Sequence, residues 1–571
     1  MAATSTSRTD AREPIAAEIF LKTLSEHGVD YLFANPGTDF PAIVEAFTRA
    51  RTSNAKFPQP VLVPHENLAV AMAHGAYLMN GRPQAVMVHV NVGTANTINN
   101  VTNMSRDRAP VILAAGRTPF TEKGTFGART RPIHWAQEMF DQAGMLREVV
   151  KWDYELKVPE QVADVTARAY EMAMSGPRGP VYLVLPREPI SAPVSADLAT
   201  APRQLPTQAY PDPRAIETLA SMIAQAQSPL IITSSDGDPR AFAALSKLAE
   251  RYALPVVANN ARVVTIPTSH PMLVGFETGS VLPETDLIIN AECDVPWFPH
   301  LDKLKDGCKI VHVGEDTVYQ RYPMRSFHSD LSINAQTALV FEMLDQALEK
   351  HQSKMSSAID TRRNKAAERS KARQERIAKE GRGAPDKITP QYLSRCIGEA
   401  FGSDAVFFNE YPLSMEHCGR DKPETFFGLG PAGGLGWGLG AAIGAKLAAP
   451  EKLIVATLGD GSYMFSNPTV CHWVQHKHEL PVLSIIFNNS RYGAVRKATL
   501  SMFKDGAAGE DDGRFLADLD PSPPFDEFVT AQGGHGERVE RPEDVPAALK
   551  RAYDAVMKDK RQALLNVITP Y

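Results

Sequence analysis

Two stretches, KLIVATLGDGS (452–462) and PVLSIIFNNSRYG (481–493), decide how this chain folds. In each, an apolar run rich in Ile, Val and Leu stops abruptly at small polar residues, as a buried parallel strand does at its carboxyl end. The stops are Gly459-Asp460-Gly461-Ser462 and Asn488-Asn489-Ser490-Arg491-Tyr492-Gly493, with 26 residues between GDG and Asn-Asn. That interval is long enough for a covering helix, so the two strands are expected to end side by side. A carboxylate from one end and an amide oxygen from the other are the ligand types a hard divalent cation takes. The glycines let backbone approach a phosphate closely. An Asp-Gly turn alone is common, whereas the whole spacing is far more specific.

The same grammar extends in both directions. AVMVHV (85–90), PVILAAG (110–116), PVYLVLP (180–186) and PLIITSS (229–235) alternate with amphipathic helical stretches. This predicts an α/β protein of mostly parallel sheets with helices on both faces. Ligands of such sheets sit beyond the carboxyl ends of the strands. The residues to inspect there are Asn35-Pro36-Gly37-Thr38, His89 to Asn96, Gly459 to Ser462 and Asn488 to Tyr492. A proline cluster from Pro189 to Pro213 reads as a linker, and twelve Lys/Arg between Lys350 and Lys387 read as a solvated helix running into a second one. The expected organisation is a domain at 13–188, a linker at 189–211, a domain at 212–349, a charged linker at 350–387 and a domain at 388–571.

A chain of 571 residues with 43% apolar and 22% charged residues has room for several cores, which excludes a peptide hormone or a lone binding module. A net charge of −6 gives no electrostatic reason to expect nucleic acid. Five cysteines without a C-x-x-C pair argue for reduced thiols and a cytoplasmic protein. The polar start, MAATSTSRTDARE, and the lack of any 18-residue apolar stretch argue against export and membrane insertion.

GDG, the 26-residue interval and Asn-Asn resemble the diphosphate-and-magnesium motif of thiamine diphosphate enzymes. PAGGLGWGLGAAIG (431–444) resembles the segment that precedes that motif in benzoylformate decarboxylases and acetolactate synthases. PHENLAVAMAHGAYLMNGR (64–82) with HVNVGTAN (89–96) is similar to the family's cofactor-activating region, and SPLIITSSDGD (228–238) to its central domain. The resemblance implies a three-domain α/β fold, with pyrimidine- and diphosphate-binding domains flanking a central one.

It also implies roles. Glu66 would hydrogen-bond the aminopyrimidine of the cofactor and drive formation of its C2 carbanion. Leu435 would prop the cofactor in a bent shape, and the Gly433 carbonyl would accept from its 4′-amino group. Asp460, Asn489 and the Arg491 carbonyl match the Mg²⁺ ligands. Gly461, Ser462 and Tyr492 match contacts to the diphosphate. His89 and Thr38 occupy the places of a histidine and a serine in benzoylformate decarboxylase, which points to proton transfer and carboxylate binding. The Glu66 and Asp460 halves of the family's site come from different subunits, so a homodimer or homotetramer is implied.

Several positions depart from the pattern. Tyr411-Pro412-Leu413 replaces the family's diphosphate-binding hydroxyls, leaving Ser414 as the substitute. Lys497 and Ala498 stand where benzoylformate decarboxylase carries bulky aromatics, so a phenyl-gripping pocket is not expected. Gln137-Glu138 resembles a segment of acetolactate synthases, a group that also holds FAD in its middle domain; no residue of 212–349 demands a flavin. The polar, Gly- and Pro-rich stretch from Met502 to Pro524 reads as a lid or a surface insertion. Together these imply a thiamine diphosphate- and Mg²⁺-dependent lyase that decarboxylates a small 2-oxo acid. An acetolactate synthase-like carboligase and a 2-hydroxyacyl-CoA lyase are the alternatives.

Overall fold

The computed structural model describes residues 13–53, 55–198, 204–234 and 237–570. Among them, the apolar runs build three six-stranded sheets whose strand pairings are all parallel. The first sheet contains β1 (Tyr31–Asn35), β2 (Gln59–Leu62), β3 (Gln84–Val88), β4 (Val111–Arg117), β5 (Trp152–Glu155) and β6 (Val181–Pro186), in the order β2-β1-β3-β4-β6-β5. The second holds β7 (Pro229–Thr233), β8 (Val256–Ala258), β9 (Leu273–Gly275), β10 (Leu287–Ala291), β11 (Lys309–Gly314) and β12 (Leu331–Asn334), in the order β12-β11-β10-β7-β8-β9. The third holds β13 (Val406–Glu410), β14 (Phe426–Gly428), β15 (Ile454–Gly459), β16 (Leu483–Asn488), β17 (His535–Val539) and β18 (Ala563–Ile568), in the order β14-β13-β15-β16-β18-β17. Central strands such as β3, β7, β10 and β16 are buried at every residue, which is why they read as unbroken apolar runs rather than alternating ones.

The crossover helices start where local chemistry favours a start. Asp212 and Asp238 cap the helices Pro213–Gln225 and Pro239–Tyr252, each accepting from the N–H two residues on, with proline in the first turn. Thr389 caps Pro390–Phe401, accepting from the Tyr392 N–H three residues on. The chain divides into two compact units between Pro206 and Thr207. The first sheet belongs to the first unit, and the other two sheets to the second.

The basic run differs from its sequence reading. Gln352–Glu380 is a continuous helix, but it is not solvated all round. Met355, Ile359, Arg362, Ala366, Ser370 and Arg373 are buried, at spacings of three and four that place them on one face. Long basic side chains bury their aliphatic stems there while their nitrogens reach backbone carbonyls. Arg362 donates to the carbonyls of Ile223 and Ala226, and Arg373 to that of Thr268. Among the described residues, no helix is long and apolar enough to cross a membrane, and all five cysteines are unpaired.

Candidate active site

In the first unit, β1, β3 and β4 are neighbours, and their registers bring Asn35, Val88 and Ala115 level at the carboxyl edge. His89, Asn35 and Gly116 therefore converge. The helix after β2 begins at Glu66, whose carboxyl group is buried at 7% exposure. It accepts from the Asn35 amide at 2.8 Å and from the Asn96 amide at 3.0 Å, so two neutral donors hold it. Gly93 lies against it, and a Cβ there would stand 3.2 Å from Oε1.

His89 Nδ1 donates to Asp39 Oδ1 at 2.6 Å, and Asp39 Oδ2 accepts the Val90 N–H at 3.1 Å. The hydrogen bond and charge of Asp39 hold the imidazole above its usual proton affinity, against the opposing effect of burial. Glycine makes this pairing possible. A Cβ on Gly37 would lie 2.2 Å from the His89 ring, and one on Gly116 2.0 Å from Asp39 Oδ2. Val90 follows with φ of +33°, a strained value for a β-branched residue that the surrounding contacts hold in place. Thr38 is exposed on the same turn. The other nitrogen of His89 lies 3.4 Å from the Gln137 amide, whereas Glu138 is tied to Arg117, Arg129 and Thr118.

In the second unit, β13, β15 and β16 are neighbours and bring Glu410, Gly459-Asp460 and Asn488-Asn489 to one edge. Asp460 Oδ2 and Asn489 Oδ1 both lie within hydrogen-bond distance of the Arg491 N–H, at 3.2 and 3.0 Å, so the two oxygens converge on one spot. Burial raises the proton affinity of Asp460, and among the described residues no side-chain cation pairs with it. That is a carboxylate suited to a metal ion. The Tyr492 ring lies close to Gly461, where a Cβ would lie 2.6 Å from it, and the Ser462 hydroxyl bonds Glu410.

Glu410 itself is fully buried. It accepts from the backbone N–H groups of Gly436 (2.7 Å), Trp437 (3.0 Å) and Gly438 (2.6 Å), fixing the turn that carries Gly433 and Leu435 into the helix Gly438–Ala448. Burial raises its pKa to about 7 in spite of these donors. Gly433 has φ of +66°, and the Tyr411 hydroxyl lies over it; Tyr411 is itself in the left-handed region at +82°.

Ser414 stands at the start of a short helix. Its hydroxyl caps the helix Met415–Cys418 and bonds His417 Nδ1 at 2.8 Å, while His417 Nε2 meets Glu380 at 3.0 Å. Lys497 and Ala498 are exposed on the helix Gly493–Met502, which buries none of its residues within this chain. Beyond it Asp512 ties the 502–524 stretch back to Arg491 and Arg496.

Three family models match the chain in order: the thiamine pyrophosphate enzyme N-terminal TPP binding domain at residues 15–145, the central domain at 216–325 and the C-terminal TPP binding domain at 411–567. The chain belongs to the thiamine diphosphate enzyme family. It is 26% identical over 497 residues to benzoylformate decarboxylase of Pseudomonas aeruginosa, covering 83% of this chain and 85% of that protein. It is 24% identical over 567 residues to the acetolactate synthase isozyme 3 large subunit of Escherichia coli, covering 95% and 93%. In fold it is similar to the thiamine diphosphate-dependent 4-hydroxybenzoylformate decarboxylase of Rhodococcus jostii, with a TM-score of 0.76 at 22% identity over 98% of this chain and 99% of that one.

For a thiamine diphosphate enzyme the residues present fit the cofactor: a buried carboxyl held by neutral amides in one unit, and in the other a cation-free carboxylate beside an amide oxygen and a glycine-lined turn. Among the described residues no cluster of three or more His, Cys, Asp and Glu could hold a metal alone. A metal here would complete its shell with amide, carbonyl and phosphate oxygens. Sequence reasoning assigned no role to Asp39, Asn96, Glu410 or Tyr411. The signal for Asp39 was its place one residue past Thr38, and for Glu410 its place as the last residue of an apolar run.

Proposed function

We propose that this thiamine diphosphate enzyme is a Mg²⁺-dependent, cytoplasmic lyase that decarboxylates a small 2-oxo acid. The observation that carries the reading is the Asp39–His89 pair, set at the same strand edge as Glu66. Asp460, Asn489 and the Arg491 carbonyl would hold the metal, with Gly461, Ser462 and Tyr492 against the diphosphate. Gly433 and Leu435 would position the rings. When bound, the cofactor supplies the carbon nucleophile and the electron sink for breaking the bond beside a carbonyl.

The protein's own part is orientation and proton handling. Glu66, buried and aimed by Asn35 and Asn96, would hold a proton at the pyrimidine nitrogen. His89, whose hydrogen bond to Asp39 raises its proton affinity, would face the substrate carboxylate through Nε2 and return a proton after carboxylate loss. Thr38, on the same turn, would add a hydroxyl to carboxylate binding. A carboligase reading has one observation in its favour: Gln137, from the segment similar to acetolactate synthases, stands beside the outward nitrogen of His89.

A panel of 2-oxo acids, each with and without an acceptor aldehyde and analysed by mass spectrometry, tests both readings. Carbon dioxide and an aldehyde without ligation product support the lyase, ligation as the main product supports the alternative, and no turnover of any acid defeats both. The absorbance spectrum of the purified protein decides whether a flavin accompanies it. Assembly is proposed to be at least a homodimer. Mixed Glu66→Gln and Asp460→Ala proteins should then regain activity on subunit exchange, and a fully active monomer in light scattering refutes the assembly.

A further inference from the structure

At the ligand edge of the third sheet one large side chain serves no purpose in the fold. Tyr411 follows Glu410, the last residue of β13, and is 66% exposed there with φ of +82°. That region is costly for a bulky residue, and a residue that precedes proline, as Tyr411 precedes Pro412, is restricted further. Its neighbours in the chain hold it there. Glu410 is locked by the N–H groups of Gly436, Trp437 and Gly438. Asn409 accepts from the Leu413 N–H at 3.0 Å and donates to the Leu413 carbonyl at 3.2 Å. The turn is thus pinned on both sides of a strained tyrosine.

Strain of this kind persists at functional sites, where the side chain rather than the backbone is needed. Among the described residues the Tyr411 hydroxyl has no hydrogen-bond partner and its ring no aromatic neighbour. Glycine would take the same backbone at lower cost. What the tyrosine adds is reach. Its hydroxyl comes to Gly433, where a Cβ would stand 3.3 Å from it. A serine or threonine hydroxyl at position 411 stops well short of that point.

We propose that Tyr411 is a cofactor-binding residue whose hydroxyl bonds the aminopyrimidine of thiamine diphosphate. The proposal rests on the reading that Gly433 seats the cofactor's rings. A phenol both donates and accepts, which suits an aminopyrimidine edge, where an amino donor adjoins ring-nitrogen acceptors. In the family pattern the small hydroxyls of this segment meet the diphosphate. Here the segment's contact has moved to the ring end, and the diphosphate is left to the metal, Ser462 and Tyr492.

The test uses the full chain at saturating Mg²⁺, with thiamine diphosphate and inorganic pyrophosphate as probes in equilibrium dialysis. Tyr411→Phe removes one oxygen and should raise the Kd of thiamine diphosphate about tenfold, while that of pyrophosphate stays within about twofold. Tyr411→Gly should weaken thiamine diphosphate at least as much without lowering the Tm of the cofactor-free protein, because glycine holds a positive φ without strain. Equal losses for the two probes would put the hydroxyl on the diphosphate and overturn the proposal. Unchanged thiamine diphosphate affinity in Tyr411→Phe would overturn it too, as would a Tyr411→Gly protein with lowered Tm and wild-type affinity. A wild type that binds neither probe defeats the reading of the site itself, and this proposal with it.

Discussion

Replacing Gly37 by alanine tests the Asp39–His89 pair more sharply than removing either partner, because it adds one methyl group and no charge. The new Cβ would lie 2.2 Å from both Cγ and Nδ1 of the imidazole, where ordinary contact begins at 3.4 Å. Ring or turn must therefore yield by about 1.2 Å. Asp39 sits two residues along that turn, so either movement works on the same hydrogen bond. Added to its present 2.6 Å, such a shift takes the bond to about 3.8 Å, beyond hydrogen-bond reach. Misplacing a reacting group by about 1 Å costs roughly 100-fold in rate, or about 2.7 kcal/mol of barrier. Backbone strain does not confuse the result, because Gly37 lies outside the left-handed region.

The assay is kcat and KM with the best 2-oxo acid of the panel, together with C2–H exchange of the bound cofactor followed by NMR. Gly37→Ala should lose about 100-fold in kcat. Exchange, which depends on Glu66, should stay within about threefold. Gly509→Ala, whose Cβ meets open space, is the control and should leave both unchanged. A Gly37→Ala enzyme with kcat within about threefold of wild type would refute the view that this pair does the chemistry.

Glu66→Gln should keep the fold and slow C2–H exchange by orders of magnitude, since an amide cannot take up and release the pyrimidine proton; wild-type exchange would remove Glu66 from the mechanism. Asp460→Ala should weaken Mg²⁺ and cofactor binding together, with partial rescue by excess Mg²⁺, and unchanged affinities in a metal titration would reduce GDGS to a turn. His89→Ala should lower kcat more than it raises KM, and an unchanged kcat would show that no proton passes through it. Glu410 sets a pH dependence: its pKa rises from 4.5 to about 7 on folding, so its contribution is complete below pH 4.5 and is lost as pH rises through 7. At about 1.4 kcal/mol per unit that loss is about 3 kcal/mol. Denaturant titrations should show the wild type losing that much relative to Glu410→Gln across the window, and parallel pH profiles would refute it.

The parallel sheets were legible because strands covered on both faces must be apolar at every position, so AVMVHV, PLIITSS and KLIVATLGD announce themselves without knowledge of their neighbours. The strand-end rule then pointed to His89, Asp460 and Asn489, since a ligand edge in an α/β sheet is fixed by chain direction, whereas Glu66 came from the family resemblance. Helix packing was less legible. The charges of Gln352–Glu380 read as solvated, because a linear pattern shows that a side chain is polar but not that a distant carbonyl waits for it.

Pairings across the edge were out of reach for the same reason. Asp39 and His89 lie 50 residues apart, and Glu410 meets Gly436 to Gly438 some 26 to 28 residues on. Only the order of the strands brings such groups within 3 Å. Ser414 is a further case: only the fold shows that its hydroxyl bonds His417, which in turn meets Glu380. Sequence alone determined the parallel strands and the edge at which their ends meet, because composition and period fix strands, and strands fix an edge. The tertiary structure decided which residues there share a proton, because hydrogen bonds depend on angstroms that no one-dimensional pattern carries.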